Sequence, residues 1–261
     1  MNKESENNIL AVLRRIANQY PLSIVAEEVK DISRISFHIH LALETVSQKA
    51  VSELALCDLG GGIGLYSVGC AALGFGRVVL IDDFNDPINF EVSNSVLNLH
   101  RSHGVEIISH DLVAKGMPPL QGSFDIITTF DSMEHWHHSP KKFFKDAIEK
   151  LKPGGAFILG VPNCVNLRKR ITVPLGIGKW SSMKDWYEMV EFLGHVREPD
   201  VADLRYISQD LGLCDVKIYG RNWMGHVSPH FATRMATKLF DYWLRLKPSL
   251  CSNIYLVGRR P

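Results

Sequence analysis

Apolar positions recur along this chain in two textures. Residues 5–19 set Ile9, Leu10, Leu13 and Ile16 on one helical face until Pro21 breaks the pattern, and a second apolar-periodic stretch runs from Ile35 to Val46. Then the texture changes. LALCDL at 54–59 and RVVLIDD at 77–83 are short continuous apolar runs, the first ending in a glycine cluster and the second in acids, which predicts buried parallel strands. Between them Leu65, Val68, Ala72 and Leu73 keep helical spacing, so the segment reads as a strand-loop-helix-strand unit. VEIISHD (105–111), SFDIITTF (123–130) and AFILGVP (156–162) predict three more strands. KKFFKDAIEKL (141–151) predicts an amphipathic helix, closed by Pro153-Gly154-Gly155 as a stop and a turn.

Strands alternating with helices at this interval predict an α/β fold, a doubly wound and mostly parallel sheet whose ligand crevice lies at the carboxyl ends of its strands. Beyond Pro162 the rhythm breaks. Residues 163–200 carry Pro174, Trp180, Trp186 and Tyr187 without strand signals, so they read as an insertion over that crevice. The pattern then predicts a helix over 201–213, a strand over 215–223, an amphipathic helix over 231–246 and a last strand over 251–260. The expected organisation is one domain: an N-terminal helical lid (1–50), a cofactor-binding core (51–162), a substrate cap (163–200) and the C-terminal part of the sheet (201–261).

Composition narrows the function classes. The 261 residues are 46% hydrophobic and 22% charged, with 29 Lys+Arg against 28 Asp+Glu, which suits a globular domain that folds without a disulfide or a metal. A net charge of +1, with Arg168-Lys169-Arg170 as the densest basic run, argues against a nucleic-acid partner. The five cysteines, Cys57, Cys70, Cys164, Cys214 and Cys251, lie far apart and form no C-x-x-C, so a reducing cytoplasmic setting is expected. MNKESENNILAVLRR lacks the basic-then-apolar order of a signal peptide. Leu59–Gly76 is free of charge, yet its seven glycines suit a turn and a closely packed helix better than a transmembrane segment.

The segment Asp58-Leu59-Gly60-Gly61-Gly62-Ile63-Gly64 lies between a predicted strand and a predicted helix, the context in which a glycine pattern carries chemistry. Gly60, Gly62 and Gly64 let the backbone turn sharply and aim N–H groups at a ligand. A dinucleotide loop would need Gly or Ala where Leu65 stands, which argues against NAD. Asp82, 22 residues beyond Gly60, ends the second strand where a carboxylate can accept hydrogen bonds from both hydroxyls of a ribose. Asp83, beside it, is the second candidate.

The acid-x-G-x-G-x-G pattern that begins with Asp58 resembles the cofactor loop of class I S-adenosylmethionine (SAM) dependent methyltransferases. His110-Asp111-Leu112 is similar to the family position that contacts adenine, and Phe124 to Phe130 followed by Met133-Glu134-His135 is similar to the fourth strand and its "EH" ending. Leu151-Lys152-Pro153-Gly154-Gly155 with Val161-Pro162-Asn163 resembles the "LKPGG…PN" segment. Gly194-His195-Val196-Arg197-Glu198 resembles a "GHVRE" element of bacterial members, many tied to sugar, surface-polysaccharide or natural-product methylation. The resemblance spans roughly residues 40–220, and ordered motifs are more specific than any one of them. It implies a Rossmann-like sheet of seven strands with the last antiparallel. It also implies SAM as cofactor, held by Asp58, Gly60, Gly62, Gly64, Asp82 or Asp83, Asp111, Leu112 and Phe130, and O-methylation of a small molecule, sugar or glycan.

A hydroxyl acceptor must lose a proton, and histidine is the usual base near neutral pH. His135, after the fourth strand, and His195, in the cap, are the candidates; helix-start packing and pinning of the cap are their alternative roles. His135, His137 and His138 would not converge from a helix on one point, so no metal is expected. Trp180, Trp186, Tyr187, Trp223 and His226 form either an aromatic wall for the acceptor or part of the core. The 231–246 helix either packs on its own sheet or meets a partner or a membrane surface, so a peripheral membrane contact stays open. The rival to an enzyme is a degenerate SAM-binding module serving as a partner subunit or sensor.

Overall fold

The short apolar runs become strands and the periodic stretches become helices in the computed structural model of this chain, which describes residues 3–84, 90–178, 182–188, 192, 194–226, 228 and 230–261. In chain order the elements begin with α1 (Lys3–Ala17), α2 (Val25–Thr45), β1 (Ala55–Leu59), α3 (Leu65–Ala72), β2 (Arg77–Asp82), α4 (Phe90–Ser102), β3 (Val105–Ser109), α5 (Leu112–Lys115) and β4 (Phe124–Phe130). They continue with α6 (Lys141–Lys150), β5 (Leu151–Pro162), α7 (Leu167–Thr172), α8 (Met183–Glu188), α9 (Val201–Asp210), β6 (Cys214–Arg221), α10 (Trp223–His226), α11 (Phe231–Arg245) and β7 (Asn253–Arg259). Helix α4 supplies the crossover that parallel pairing of β2 and β3 requires.

The seven strands among the described residues form one sheet of order β3-β2-β1-β4-β5-β7-β6. Strand β1 pairs parallel with β2 and β4, and β2 pairs parallel with β3. Strand β7 runs antiparallel to β6 and lies between β5 and β6. The expected seven strands and reversed last strand are therefore present. One local expectation is corrected: Pro153-Gly154-Gly155 is not a turn after the helix, because α6 ends at Lys150 and β5 starts at Leu151 and runs through it. Gly154 takes φ 74°, and its N–H donates to the Arg260 carbonyl at 2.9 Å while Arg260 N–H returns to the Gly155 carbonyl at 2.9 Å. A glycine kink is absorbed within the ladder.

The backbone divides into two compact units, Met1–Thr129 with Lys141–Ile158 and Arg260, and Phe130–Pro140 with Leu159–Arg259 and Pro261. In the first, register aligns the strand ends: Leu59 lies opposite Ile81, Asp58 opposite Thr128, and Asp82 opposite Ser109. The residues that follow β1, β2 and β3 thus leave the sheet along one edge. Helices α1 and α2 bury Leu13, Ile16, Ile39 and Ala42 completely. They meet α3 at Gly69, where a Cβ would stand 2.7 Å from Leu13 Cδ2 and 3.3 Å from Ile39 Cδ1.

In the second unit, α11 departs from ordinary amphipathic burial. Its buried residues are Thr237 and Asp241; the latter accepts a hydrogen bond from Asn222 Nδ2 at 2.8 Å and pairs with Arg245. Phe231, Met235, Leu239, Tyr242, Trp243 and Leu246 are all exposed. Of the two roles open to this helix it does meet its own sheet, at β6, but with its polar face in the inner position. No described helix is long and apolar enough to cross a membrane. All five cysteines are unpaired.

Candidate cofactor site and histidine cluster

Strand β1 hands over to the glycine loop through Gly60, whose φ of 70° turns the chain and whose N–H donates to the Ile81 carbonyl at 2.8 Å. Gly62 is also left-handed, at φ 55°, and its N–H donates to Asp82 Oδ2 at 2.9 Å. The other carboxylate oxygen, Oδ1, accepts from Phe84 N–H at 2.8 Å, so Asp82 clamps the loop after β1 to the turn after β2. Burial raises the Asp82 carboxyl, the two amide donors offsetting part of the effect. Phe84 is held at φ 52°, a strained conformation for an aromatic residue. Asp83 is exposed. Of the two adjacent acids, Asp82 is the one that meets the loop. Gly64, with φ −70°, begins α3 in a conformation open to any residue.

Sequence spacing passed over Gly61. A Cβ there would collide with the Asp58 carboxylate and lie 2.9 Å from Leu80 Cδ1. Asp58 sits beneath the loop, almost fully buried, with Oδ2 accepting from Ser67 Oγ at 2.7 Å and Oδ1 from Thr128 Oγ1 at 2.9 Å. Burial pushes its carboxyl up to about 6, against the pull of those two hydroxyls. Since Ser67 and Thr128 pin the carboxylate, Gly61→Ala is expected to cost about 1–3 kcal/mol by overpacking. A urea midpoint unchanged by the substitution would show that the loop has room to shift.

Tyr20, which follows α1, was also unmarked by its sequence. Its hydroxyl donates to the Ile63 carbonyl at 3.0 Å and lies 3.0 Å from His100 Nε2, tying the N-terminal helices to the loop. Burial, with a smaller contribution from His103, lowers His100 to about 4, which favours the neutral ring beside Tyr20. Asp111 caps α5, with Oδ1 accepting from Val113 N–H at 3.0 Å and Ala114 N–H at 2.9 Å; Leu112 beside it is buried. Asp125 opens β4 in a structural setting, paired with Lys49 and with Lys152 at 2.7 Å and accepting from Ala55 N–H at 2.9 Å.

The second unit carries Phe130 and both candidate histidines. The Phe130 ring packs 6.2 Å from that of Tyr255, and a Cβ at Gly160 would come within 2.7 Å of it. Past Asp131, at φ 49°, a short turn (Met133–His135) buries Glu134. The Glu134 carbonyl accepts from Val196 N–H at 2.7 Å and Arg197 N–H at 3.2 Å, which draws the 194–198 segment alongside. The rings of His135 and His195 meet edge to face at 4.8 Å. His195 Nδ1 lies 2.7 Å from Glu198 Oε1, and Glu198 Oε2 lies 2.5 Å from Lys169 Nζ. Burial would raise Glu198, but the bonds from His195 and Lys169 outweigh it and hold the carboxyl at about 2. The Glu198 bond raises His195, while burial and then the Asp131 charge raise Glu134.

Folding brings His135 together with Glu134 and His195, one ligand atom from each lying within 4.8 Å of the others. Of the aromatic-wall candidates, Trp223 Nε1 donates to Tyr255 Oη at 2.8 Å, His226 lies 3.7 Å from Asp241, and Trp186 and Tyr187 are exposed. Trp180 lies outside the described residues.

The sheet order with its reversed last strand, together with a glycine loop answered by an acid at the end of β2, defines a Rossmann-like methyltransferase of class I. A family model described as a methyltransferase domain matches residues 34–218. The chain belongs to that family and is a SAM-dependent methyltransferase. None of the curated proteins matches the sequence significantly. Among solved structures, a SAM-dependent methyltransferase from Thermotoga maritima is 14% identical, over 97% of this chain and 100% of that one, with a TM-score of 0.53. The magnesium protoporphyrin IX methyltransferase of Synechocystis PCC 6803, solved with S-adenosylhomocysteine, is 15% identical, over 96% of this chain and 94% of that one, with a TM-score of 0.56. An N-methyltransferase from Haemonchus contortus, solved with phosphomonomethylethanolamine and S-adenosylhomocysteine, is 17% identical, over 86% of this chain and 52% of that one, with a TM-score of 0.51. At such identities the likeness is one of fold, and the differing molecules named for those proteins agree that the fold does not select the acceptor.

Proposed function

We propose that this methyltransferase methylates a hydroxyl of a small molecule, sugar or glycan, and that its cofactor lies on the Gly60–Gly64 loop against Asp82. Two observations support the cofactor residues. Each Asp82 oxygen accepts one amide and retains a further lone pair, as a ribose diol requires. Among the described residues nothing lies within 4 Å of where a Cβ on Gly62 would stand, which supports open space on that side of the loop. SAM supplies a methyl group on sulfonium, an excellent leaving group, so the protein needs no acid for departure. Asp58 would add negative charge from beneath the loop, and Asp111, Leu112 and Phe130 would complete the cofactor residues. Tyr20 would hold the N-terminal segment, the lid of this reading, to the loop.

The hydroxyl reading rests on the His195–Glu198 hydrogen bond beside His135. A carboxylate-oriented imidazole suits an acceptor that must part with a proton before or during methyl transfer. The near balance of charge, with no long basic run, favours a neutral small or carbohydrate acceptor over nucleic acid. The test incubates the protein with isotopically labelled SAM and with carbohydrate and small-molecule extracts, reading the new bond by mass spectrometry. A methyl ether is expected, and His195→Ala should slow its formation roughly 10²- to 10⁴-fold with calorimetric SAM affinity unchanged. A methylamine product, or a variant as fast as the parent, would overturn the reading.

A further inference from the structure

We infer that Glu134, His135 and His195 form a binding site for one divalent first-row transition-metal ion. One ligand atom from each of the three lies within 4.8 Å of the other two. A cation bound at about 2.1 Å to imidazole and carboxylate donors needs those atoms no more than about 4 Å apart, so small rotamer changes would complete the site. His135 and His195 are exposed, and a rotation of His195 that keeps its Nδ1 on Glu198 carries Nε2 with it. Glu134 is the less expected member: its side chain is buried, and Oε2 meets no hydrogen-bond donor among the described residues. A buried carboxylate oxygen without a partner is costly, and a cation would satisfy it.

The surroundings have the form of a supported metal site. Glu198 engages His195 Nδ1, which leaves Nε2 as the nitrogen whose lone pair can ligate, and Lys169 in turn fixes Glu198. Such carboxylate-histidine-metal arrangements orient the ring and increase its basicity. Two imidazoles and one carboxylate favour zinc, cobalt, manganese or iron over magnesium or calcium, which prefer oxygen donors. Three protein ligands leave coordination positions open, where an oxygen-bearing acceptor could bind and be acidified. This use rests on the hydroxyl reading above, with the histidines then acting as ligands; the existence of the site does not.

The test uses the full chain, stripped with a chelator and titrated with Co²⁺, Zn²⁺ or Mg²⁺ alone, followed by calorimetry and, for cobalt, by visible absorption. One equivalent of Co²⁺ or Zn²⁺ is expected to bind, with Mg²⁺ much weaker. Glu134→Gln and His135→Ala should each weaken cobalt binding by about tenfold or more, and Glu198→Gln roughly 10- to 100-fold through the orientation of His195. His137→Ala, the same residue type just outside the cluster, should change nothing. Circular dichroism would confirm that each variant is folded. No saturation with Co²⁺ or Zn²⁺ at millimolar metal, or wild-type affinity in folded Glu134→Gln and His135→Ala, would overturn the site. A chain that binds cobalt yet makes methylamines would defeat only the hydroxyl reading, and one that makes methyl ethers without binding metal would defeat only the site.

Discussion

Replacing Asp82 with alanine should abolish the thermal stabilisation that SAM confers on this protein. A ligand at a hundredfold its dissociation constant stabilises the native state by about 2.7 kcal/mol, so the wild-type shift is well within reach of calorimetry or dye-monitored melting. Asp82→Ala removes the acceptor for the proposed ribose hydroxyls, and it also releases the Gly62 and Phe84 amides that shape the loop. Both losses act against the cofactor. Asp82→Asn separates them, because its one carbonyl oxygen can keep an amide while the second acceptor is lost. The expected order of SAM-induced shift is wild type, then Asp82→Asn, then Asp82→Ala with none, whereas Asp83→Ala should retain the full shift. A full shift in Asp82→Ala, or its loss in Asp83→Ala, would reassign the ribose contact.

The second large effect is a dependence of stability on pH that belongs to Asp58. Its folded carboxyl lies near 6 against an ordinary 3.8, burial being the main cause. The folded state therefore binds this proton more tightly than the unfolded state does. Its contribution to stability is most favourable below about pH 4, declines as pH rises, and reaches its full cost above about pH 6, where it amounts to about 3 kcal/mol at 1.36 kcal/mol per unit. Asp58→Asn cannot ionise, yet its amide can still accept one hydroxyl and donate to the other. The stability of the variant relative to wild type should rise by up to about 3 kcal/mol between pH 4 and pH 7, measured by urea unfolding. A difference independent of pH would show that Asp58 does not ionise at this cost. The same variant should bind SAM more weakly if the charge beneath the loop assists the cofactor, a case of stability given up at a functional site.

Much of the core was legible because its signals are local. A strand buried on both faces is apolar over most of its length, so β1, β2 and β4 announced themselves, and a loop that turns at positive φ favours glycine, as at Gly60 and Gly62. Asp82 was legible too, since it terminates an apolar run at a set distance from the loop. The segment after α6 was misread as a turn for an equally physical reason. Pro-Gly-Gly looks like a stop, but a partner at Arg260, far along the chain, lets the strand continue through it.

What the sequence determined by itself was the sheet, the glycine loop and the acid opposite it, because periodicity and turn chemistry record how each residue is buried by its immediate neighbours. Tertiary structure alone decided which side chains from distant segments would meet. Gly61 matters because Asp58 is folded back beneath it, and Tyr20 because the N-terminal helices reach Ile63. Glu134, His135, His195, Glu198 and Lys169 become one cluster because the Glu134 carbonyl takes the amides of Val196 and Arg197. Helix α11 gives the converse case. Its apolar stripe is plain in the sequence, yet buried hydrogen bonding at Asp241 and Thr237 turned the polar face inward, and a period along one helix contains no record of which partners the other face will find.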